Sequence, residues 1–163
     1  MKKYKFITFG DNIDTDLIIS GKYLRTSDFK SWKDHVFEAI DPNIAPRLGP
    51  DYVIISGHNF GCGSSREQAA WAIKDSGVSA VIAKSFARIF FRNAINIGLT
   101  VFIAPEHKIK SGGKINKIIL DEKNNRVIYG KKEYVFEEYP DFIKEIIRSG
   151  GLINYFNKKK RAR

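Results

Sequence analysis

The first third of the chain shows two apolar patterns separated by a long stretch in which the pattern is weak. Alternating apolar and polar residues over Lys3–Thr8 predict a strand, and the short apolar run Leu17–Ser20 predicts a second one. Residues 21–50 fit no regular element well, apart from a short helical pattern over 27–36 and three prolines further on. A connection of this length inside a compact domain is usually functional or mobile.

The middle of the chain alternates between apolar runs and amphipathic stretches. The run Tyr52–Ser56 is typical of a strand buried on both faces. The elements predicted after it are a glycine-rich turn at Gly57–Gly63, a helix from Ser64 to about Ser76, a strand at Ala80–Ala83, a helix over Ser85–Ile97 and a strand at Thr100–Ala104. Gly77 and Gly98 are placed to end the two helices. This alternation predicts a parallel sheet with crossover helices.

The C-terminal part follows a different pattern, with a hairpin, a further strand and two helical segments. The predicted elements are a hairpin of Lys114–Leu120 and Arg126–Tyr129 around Asn124-Asn125, a strand at Tyr134–Phe136, a helix from Pro140 through Ser149, a break at Gly150-Gly151 and a last helical turn that leads into a basic tail of about residues 157–163. We find no internal repeat and no domain boundary, so we expect one domain over residues 1–163.

Composition narrows the class of protein without identifying it. Of the 163 residues, 43% are hydrophobic and 13% aromatic, which argues against a largely disordered chain. Lys and Arg number 28 against 18 Asp and Glu, which gives a formal net charge of +10. Such a surplus favours an acidic partner, and nucleic acid, a membrane surface, an acidic protein and small anionic substrates all qualify.

The chain has one cysteine, Cys62. A single cysteine excludes an internal disulfide framework and fits a reducing compartment. It also cannot by itself hold an iron–sulfur cluster or a structural zinc ion, and His35, His58 and His107 lack metal-ligand spacing. The chain start lacks the apolar run of a signal peptide, and no stretch approaches the roughly 18 apolar residues of a membrane span. We therefore expect a cytoplasmic protein with no metal of its own.

The turn between the buried strand and the next helix, Gly57–Glu67, is the strongest candidate for a ligand site. Ligands of open α/β sheets bind outside the carboxyl ends of the strands, where glycines allow close approach to the backbone. Ser64 and Glu67 have the spacing of a capping box, as do Ser65 and Gln68. Free amides at the helix start favour an anion, and the Arg66 guanidinium suits a carboxylate or phosphate.

Two standard phosphate-binding motifs do not fit this turn. Gly61-x-Gly63-x-x-Arg66 lacks the third glycine of a dinucleotide fingerprint, and Gly63-Ser64-Ser65 lacks the lysine of a Walker A loop. The residues alone leave two interpretations open, an anion site or a capped helix that binds no ligand.

Three separated blocks of sequence resemble the aconitase superfamily. Gly57–Glu67 resembles the signature of its swivel domain, Asp11–Ile19 resembles the opening segment, and Val78–Gly98 resembles the second block. The match is close to the free-standing small subunits of the homoaconitase and 3-isopropylmalate dehydratase group. It spans about residues 6–105 and continues plausibly to about 155. Residues that depart from the family pattern are Ser20, His58, Gln68 and Trp71.

The resemblance implies an α/β fold, a three-layer β/β/α swivel domain with a partly parallel central sheet. It also implies a hydro-lyase that removes water from a 2-hydroxy acid and adds it back at the neighbouring carbon. In that family a [4Fe-4S] cluster is held by a large partner subunit, in a heterodimer or heterotetramer, and the first serine of the Ser-Ser-Arg triplet is the base. Carried over, the base is Ser64, with Asp16 as a catalytic residue that orients the site.

The same resemblance assigns substrate binding to Ser65 and Arg66 and to the loop residues Arg25 and Thr26, with Gly61, Cys62 and Gly63 forming the backbone turn. Homocitrate-type substrates carry a carboxylate where isopropylmalate carries an isopropyl group, so Arg25 favours a homoaconitase-type enzyme. The alternative is a 3-isopropylmalate dehydratase or citraconate-using small subunit.

Two interpretations from other functional classes remain open at this stage. The basic run Lys158–Arg163 could bind nucleic acid, although no recognition motif accompanies it and basic ends are usually solvated. Cys62 could act as a nucleophile, although it is better explained as a small residue in a tight turn and no His/Asp pair is identifiable for it. We expect no membrane partner.

Overall fold

A computed structural model describes the backbone of residues 2–25, 29–113 and 115–161, and the side chains of those ranges except at positions 25, 29 and 30. Its strands are β1 (Lys3–Thr8), β2 (Tyr52–Ser56), β3 (Ala80–Ala83), β4 (Val101–Ile103), β5 (Lys117–Asp121), β6 (Arg126–Tyr129) and β7 (Lys132–Val135). Its α-helices are α1 (Thr15–Ile18), α2 (Glu67–Asp75), α3 (Arg88–Ile97), α4 (Asp141–Arg148) and α5 (Leu152–Arg161). Short 3-10 segments lie at Gly21–Arg25, Phe29–His35, Ala45–Arg47 and Glu122–Asn124.

The seven strands form one mixed sheet in the order β4-β3-β2-β1-β5-β6-β7. Strands β1 to β4 are parallel, whereas β5, β6 and β7 pair antiparallel with their neighbours. All four residues of β3 are buried, as expected of a strand covered on both faces. The predicted parallel sheet with a C-terminal hairpin, and its partly parallel character, are therefore confirmed.

The sheet curls, so that its two faces build two separate cores. One core lies between the sheet and helices α1 to α4, and it contains Ile54, Phe60 and Phe90. The other lies inside the curl, where the rings of Phe102 and Phe136 stack with centroids 4.3 Å apart. The chain after β7 meets the opposite edge strand, since Glu137 N donates to Ile103 O at 2.8 Å. Two facing sheet layers under a helical layer give the predicted β/β/α arrangement.

Four local predictions from the sequence are wrong. Leu17–Ser20 is not a strand: Thr15–Ile18 forms a helical turn, because the Asp14 carboxylate caps it by accepting a hydrogen bond from Leu17 N at 2.9 Å. The helix predicted over 27–36 is a 3-10 segment at Phe29–His35, with residues 26–28 outside the described ranges. The two middle helices, α2 and α3, begin at Glu67 and Arg88, each three residues later than predicted.

The C-terminal helix is longer than the single turn that we predicted. Helix α5 continues to Arg161, so the basic residues 158–161 belong to a helix and not to an extended tail. None of the helices in the described ranges has the length and apolar character that crossing a lipid bilayer requires.

Candidate active site

Three loops meet where the parallel strands β1, β2 and β3 end. Gly57 N donates to Gly10 O at 3.1 Å, and Gly61 N donates to Ile13 O at 2.7 Å, which ties the loop after β2 to the loop after β1. Phe60 N donates to Ser85 O at 3.0 Å, which ties it to the loop after β3. The carboxyl ends of these strands lie at one edge of the sheet, where open α/β folds bind ligands.

Two glycines of the turn after β2 are required by the close packing of these loops. A Cβ atom at Gly57 would lie 1.8 Å from the Asp11 carboxylate oxygen, which itself accepts a hydrogen bond from His58 N at 2.7 Å. Gly61 has φ +79°, and a Cβ there would lie 2.2 Å from the Phe90 ring. The glycine-rich composition of the turn therefore serves loop packing as well as backbone conformation.

The segment Asp14-Thr15-Asp16 lies against the Ser-Ser-Arg triplet, with each residue in a different role. Asp14 caps helix α1, while Thr15 N donates to Cys62 O at 2.9 Å. The Thr15 hydroxyl donates to Ser64 O at 3.2 Å and lies 3.5 Å from the Ser64 hydroxyl. Thr15 is 2% exposed, and its hydrogen bond therefore holds the Ser64 backbone against the buried side of the site.

Asp16 and Arg66 form an ion pair at the surface of the site. The hydrogen bond from Arg66 holds the pKa of Asp16 below its usual value, and the backbone amide of Gly21 contributes in the same direction. The Asp16 side chain is 61% exposed and that of Arg66 is 27% exposed, so both face solvent. A guanidinium has five N–H donors, and this pairing therefore leaves Arg66 able to hold a second carboxylate.

Ser64 lies in an exposed stretch that is rich in free amide groups. Within the described residues, the backbone amides of Gly63, Ser64 and Ser65 make no hydrogen bond, and neither do those of Glu67 and Gln68 at the start of helix α2. The two capping boxes that we predicted are not formed, because the helix begins after Arg66 and has no side-chain cap. The uncapped helix start leaves donors and a positive dipole end available to an anion.

Cys62 is a half-buried part of the turn, with its carbonyl group bonded to Thr15 N. In the described ranges its thiol makes no hydrogen bond. The same part of the chain contains no group of three His, Cys, Asp or Glu side chains that could hold a metal ion.

The structure brings most of the predicted site residues together. Asp16, Ser64 and Arg66 line one surface, and the Gly61, Cys62 and Gly63 backbone supports it. Ser65 is exposed beside them. Arg25 closes the 3-10 segment that starts at Gly21, next to the Asp16–Arg66 pair, but its side chain lies outside the described part, as does Thr26.

Sequence reasoning missed Thr15 as a site residue. The signal that could have found it is its position between two aspartates, directly before the run Leu17–Ser20 that we predict as a strand. Once Thr15–Ile18 is a helical turn, Asp14 and Asp16 point to different partners and the Thr15 hydroxyl is left facing Ser64.

A buried histidine supports the end of β2 beneath these loops. His107 is 4% exposed, and its Nε2 donates to Ser56 O at 2.8 Å, while its Nδ1 has no hydrogen-bond partner in the described residues. Burial lowers the pKa of His107, and the nearby charges of Lys84 and His58 act in the same direction. The imidazole is therefore neutral at pH 7, with its proton on Nε2.

Acidification is expected to destabilise the protein through His107. In the unfolded chain the histidine pKa is about 6.5, and in the folded chain it is lower, so the unfolded state binds more protons between these two values. The free energy of unfolding should fall as pH drops through about 6.5 and stop falling below the folded pKa. Thermal unfolding at stepped pH measures this slope. His107→Gln keeps an amide donor for Ser56 O and should reduce the dependence of the free energy of unfolding on pH. The same slope against pH in both proteins would contradict the assignment.

Comparison with known proteins agrees with this architecture. The family model of the aconitase C-terminal domain matches residues 47–107. The 3-isopropylmalate dehydratase small subunit of Nautilia profundicola is 49% identical over 147 residues, which cover 90% of this chain and 89% of that protein. The methanogen homoaconitase small subunit of Methanocaldococcus jannaschii is 51% identical over 153 residues, which cover 93% of this chain and 89% of that protein.

A solved structure matches the fold along almost the whole chain. The crystal structure of a 3-isopropylmalate dehydratase from Methanocaldococcus jannaschii superposes with a TM-score of 0.89 at 44% identity, and it covers 98% of this chain and 95% of that one. Sequence identity at this level over nearly the full length shows membership of the same family and not only a shared fold. It confirms the resemblance drawn from three sequence blocks. The chain belongs to the family of aconitase-related small subunits that includes those of 3-isopropylmalate dehydratase and methanogen homoaconitase.

Proposed function

We propose that this chain is the small subunit of a hydro-lyase that isomerises a 2-hydroxy acid by removing water and adding it back at the neighbouring carbon. The observation that supports this most is the surface made by Asp16, Ser64 and Arg66. It combines a hydroxyl group, free backbone amides and a guanidinium at the carboxyl ends of parallel strands.

Ser64 is the base in this proposal. Its alkoxide takes the proton from the carbon beside a substrate carboxylate and becomes the neutral hydroxyl, while the C–O bond at the neighbouring carbon breaks, which forms the double bond and releases hydroxide. Transfer of that proton from Ser64 to the hydroxide gives water and restores the alkoxide. A serine hydroxyl is far too weakly acidic to do this unaided, so its anion needs stabilisation. The unpaired amides around Ser64, the positive end of helix α2 and the Arg66 guanidinium supply positive charge beside it.

Arg66 and Ser65 hold a substrate carboxylate, and Asp16 orients Arg66 for this task. The ion pair with Asp16 fixes the guanidinium plane, and bidentate binding of a carboxylate depends on that plane. Because the pKa of Asp16 is lowered, the pair stays charged throughout the neutral range.

The remaining chemistry comes from a large partner subunit. We infer that partner from the words "small subunit" in the names of the relatives. The residues of this chain do not fit an iron–sulfur cluster, since no metal-binding group exists among the described residues. A [4Fe-4S] cluster on the large subunit would supply Lewis-acid binding of the substrate hydroxyl. The free thiol of Cys62 fits the reducing conditions of the cytoplasm, where we place the enzyme.

For the substrate, we propose 3-isopropylmalate, because most of the similar proteins are named for that activity. Arg25 favours a second candidate, the homoaconitase type, and one relative is a methanogen homoaconitase small subunit. An arginine in the loop that meets the variable part of the substrate would pair with the extra carboxylate of homoaconitate.

Replacing Arg25 with Ala should shift substrate preference in the assembled complex. We expect the ratio of kcat/KM for cis-homoaconitate to that for isopropylmaleate to fall by about tenfold or more, because losing a charged hydrogen-bond partner costs roughly 1.5–3 kcal/mol. Steady-state assays on the two substrates and on citraconate measure it.

Arg47→Ala is the matched control, since it removes an exposed arginine from the segment before the start of β2, whereas the candidate site lies after the end of β2, and it should leave the ratio unchanged. Equal losses on both substrates in Arg25→Ala would show that Arg25 does not discriminate. Failure of the complex to hydrate or dehydrate any of the three acids would overturn the proposed function.

A further inference from the structure

A half-buried carboxylate, Glu38, joins two parts of the long connection between β1 and β2. We call these parts its arms: the 3-10 segment Gly21–Arg25 and residues 29–38. The Tyr23 hydroxyl lies 2.7 Å and 2.6 Å from the two carboxylate oxygens and shares its single proton with them. His35 Nδ1 lies 2.6 Å from one of them, and because an ionised carboxylate only accepts hydrogen bonds, that nitrogen carries the proton. Tyr23 and His35 belong to different arms, so Glu38 ties them together.

The contacts around Glu38 form a compact cluster with charge compensation. The His35 ring stacks on the Tyr23 ring with centroids 3.7 Å apart. Lys22 Nζ lies 3.5 Å from a Glu38 oxygen and 4.6 Å from the Tyr23 ring centroid. Hydrogen bonds from Tyr23 and His35 lower the pKa of Glu38, so the carboxylate is ionised at neutral pH. We call Tyr23, His35 and Glu38 the loop clamp.

The turn that precedes Arg25 is held from a second direction. Trp32 Nε1 donates to the backbone carbonyl of Tyr23 at 3.2 Å, and the Trp32 side chain is 5% exposed. Both the side chain and the main chain of Tyr23 are thus fixed by residues that follow the undescribed positions 26–28. Tyr23 lies two residues before Arg25, within the same 3-10 segment.

The arm that carries Glu38 is itself anchored in the core. Phe37 is fully buried, its ring lies 4.3 Å from that of Phe9, and its amide donates to Ile18 O at 2.9 Å. Phe37 has φ +60°, a conformation that a bulky residue adopts only when its surroundings impose it. Because Phe37 directly precedes Glu38, this anchoring in the core fixes the backbone from which the Glu38 side chain extends.

We propose that Glu38 is a positioning residue for substrate recognition: through Tyr23 it fixes the Gly21–Arg25 turn and so determines where Arg25 meets the substrate. This inference rests on the substrate-binding role given to Arg25 above. Since the turn starts beside the Asp16–Arg66 pair, a fixed turn also fixes the distance between the two substrate-binding arginines.

The test uses Tyr23→Phe and Glu38→Gln in the assembled complex, alone and combined with Arg25→Ala. Tyr23→Phe keeps the aromatic stack and removes one hydroxyl. We expect both single variants to raise KM for cis-homoaconitate, whose extra carboxylate Arg25 would bind, about five- to tenfold with kcat within about twofold, as the loss of an orienting hydrogen bond predicts. In the Arg25→Ala background neither should raise KM further, because the clamp acts through Arg25.

Hydrogen exchange on the complex gives a readout besides turnover. The amides of residues 21–25 should exchange faster in both clamp variants, while those of helix α3 stay unchanged. Tyr129→Phe is the matched control, since its hydroxyl donates to Lys110 O at 3.0 Å at a distant surface and its loss should change neither KM nor this exchange.

The possible results distinguish a failure of the loop-clamp inference from a failure of the role proposed for Arg25. If Arg25→Ala raises KM but Tyr23→Phe and Glu38→Gln do not, the clamp is overturned while the role of Arg25 stands. If the clamp variants raise KM by the same factor with and without Arg25, they act by another route and the inference is likewise overturned. If Arg25→Ala itself changes nothing, the assigned role of Arg25 fails, and the inference that depends on it fails too.

Discussion

Ser64→Ala is expected to lower kcat of the assembled complex by about 10²- to 10⁴-fold, the range that loss of a positioned base produces. KM should change little, because the guanidinium of Arg66, proposed to bind the substrate carboxylate, remains paired with Asp16. The variant should assemble normally, since the Ser64 side chain is exposed and its hydroxyl makes one contact, at 3.5 Å to Thr15. Steady-state kinetics together with gel filtration of the complex measure both points.

Ser79→Ala is the matched control for this substitution. Its hydroxyl donates to Pro50 O at 2.7 Å at the opposite end of β3, so the same atom is removed far from the site. We expect activity within about twofold of the unchanged protein. Turnover retained by a correctly assembled Ser64→Ala complex would show that another group takes the proton.

Gly61→Ala is expected to destabilise the protein by about 2–5 kcal/mol. A left-handed conformation costs a non-glycine residue about 1–2 kcal/mol, and forcing a methyl into a packed core costs about 1–3 kcal/mol more. Both apply, because Gly61 has φ +79° and its added Cβ would lie 2.2 Å from the Phe90 ring. For a domain of this size the melting temperature should fall by roughly 5–15 °C.

Gly112→Ala separates the two contributions. Gly112 has φ +85° but nothing lies within 4 Å of an added Cβ, so it should show the backbone cost alone. Calorimetry of both variants gives the difference between their losses in free energy of unfolding, and we assign that difference to the Phe90 contact. Equal shifts in melting temperature would mean that the ring moves aside without cost, and that the packing of the turn against α3 is less specific than described.

The fold could be predicted where the local sequence pattern and the tertiary packing favour the same secondary-structure element. Strand β3 and the C-terminal end of helix α3 are placed correctly, because an apolar run between turn signals, and an amphipathic stretch closed by Gly98, each have one regular solution. Thr15–Ile18 was missed since a four-residue helix has almost no periodicity, and its cap at Asp14 decides the outcome. The start of α2 was misplaced because Ser64 lies against Thr15 and not at the helix cap.

The residues of the candidate site could be proposed from the sequence, but their contacts could not. Ser64, Arg66 and Asp16 were found through a resemblance, whereas their pairing joins positions 50 residues apart in the chain. The same limit applies to Tyr23 and Glu38, whose hydrogen bond depends on how the long connection folds back and on the left-handed Phe37 between its arms. Pattern along the sequence carries no information about such contacts, since they depend on tertiary packing.

The central claim is that this chain supplies one half of an active site whose other half lies on a partner. Turnover of 3-isopropylmalate by this chain alone, by the large subunit alone and by their mixture tests it most directly. We predict that each subunit alone is inactive and that activity appears on mixing and saturates at equal amounts of the two chains. Turnover by this chain alone, or an inactive mixture in which the partner's cluster is intact, would contradict the account.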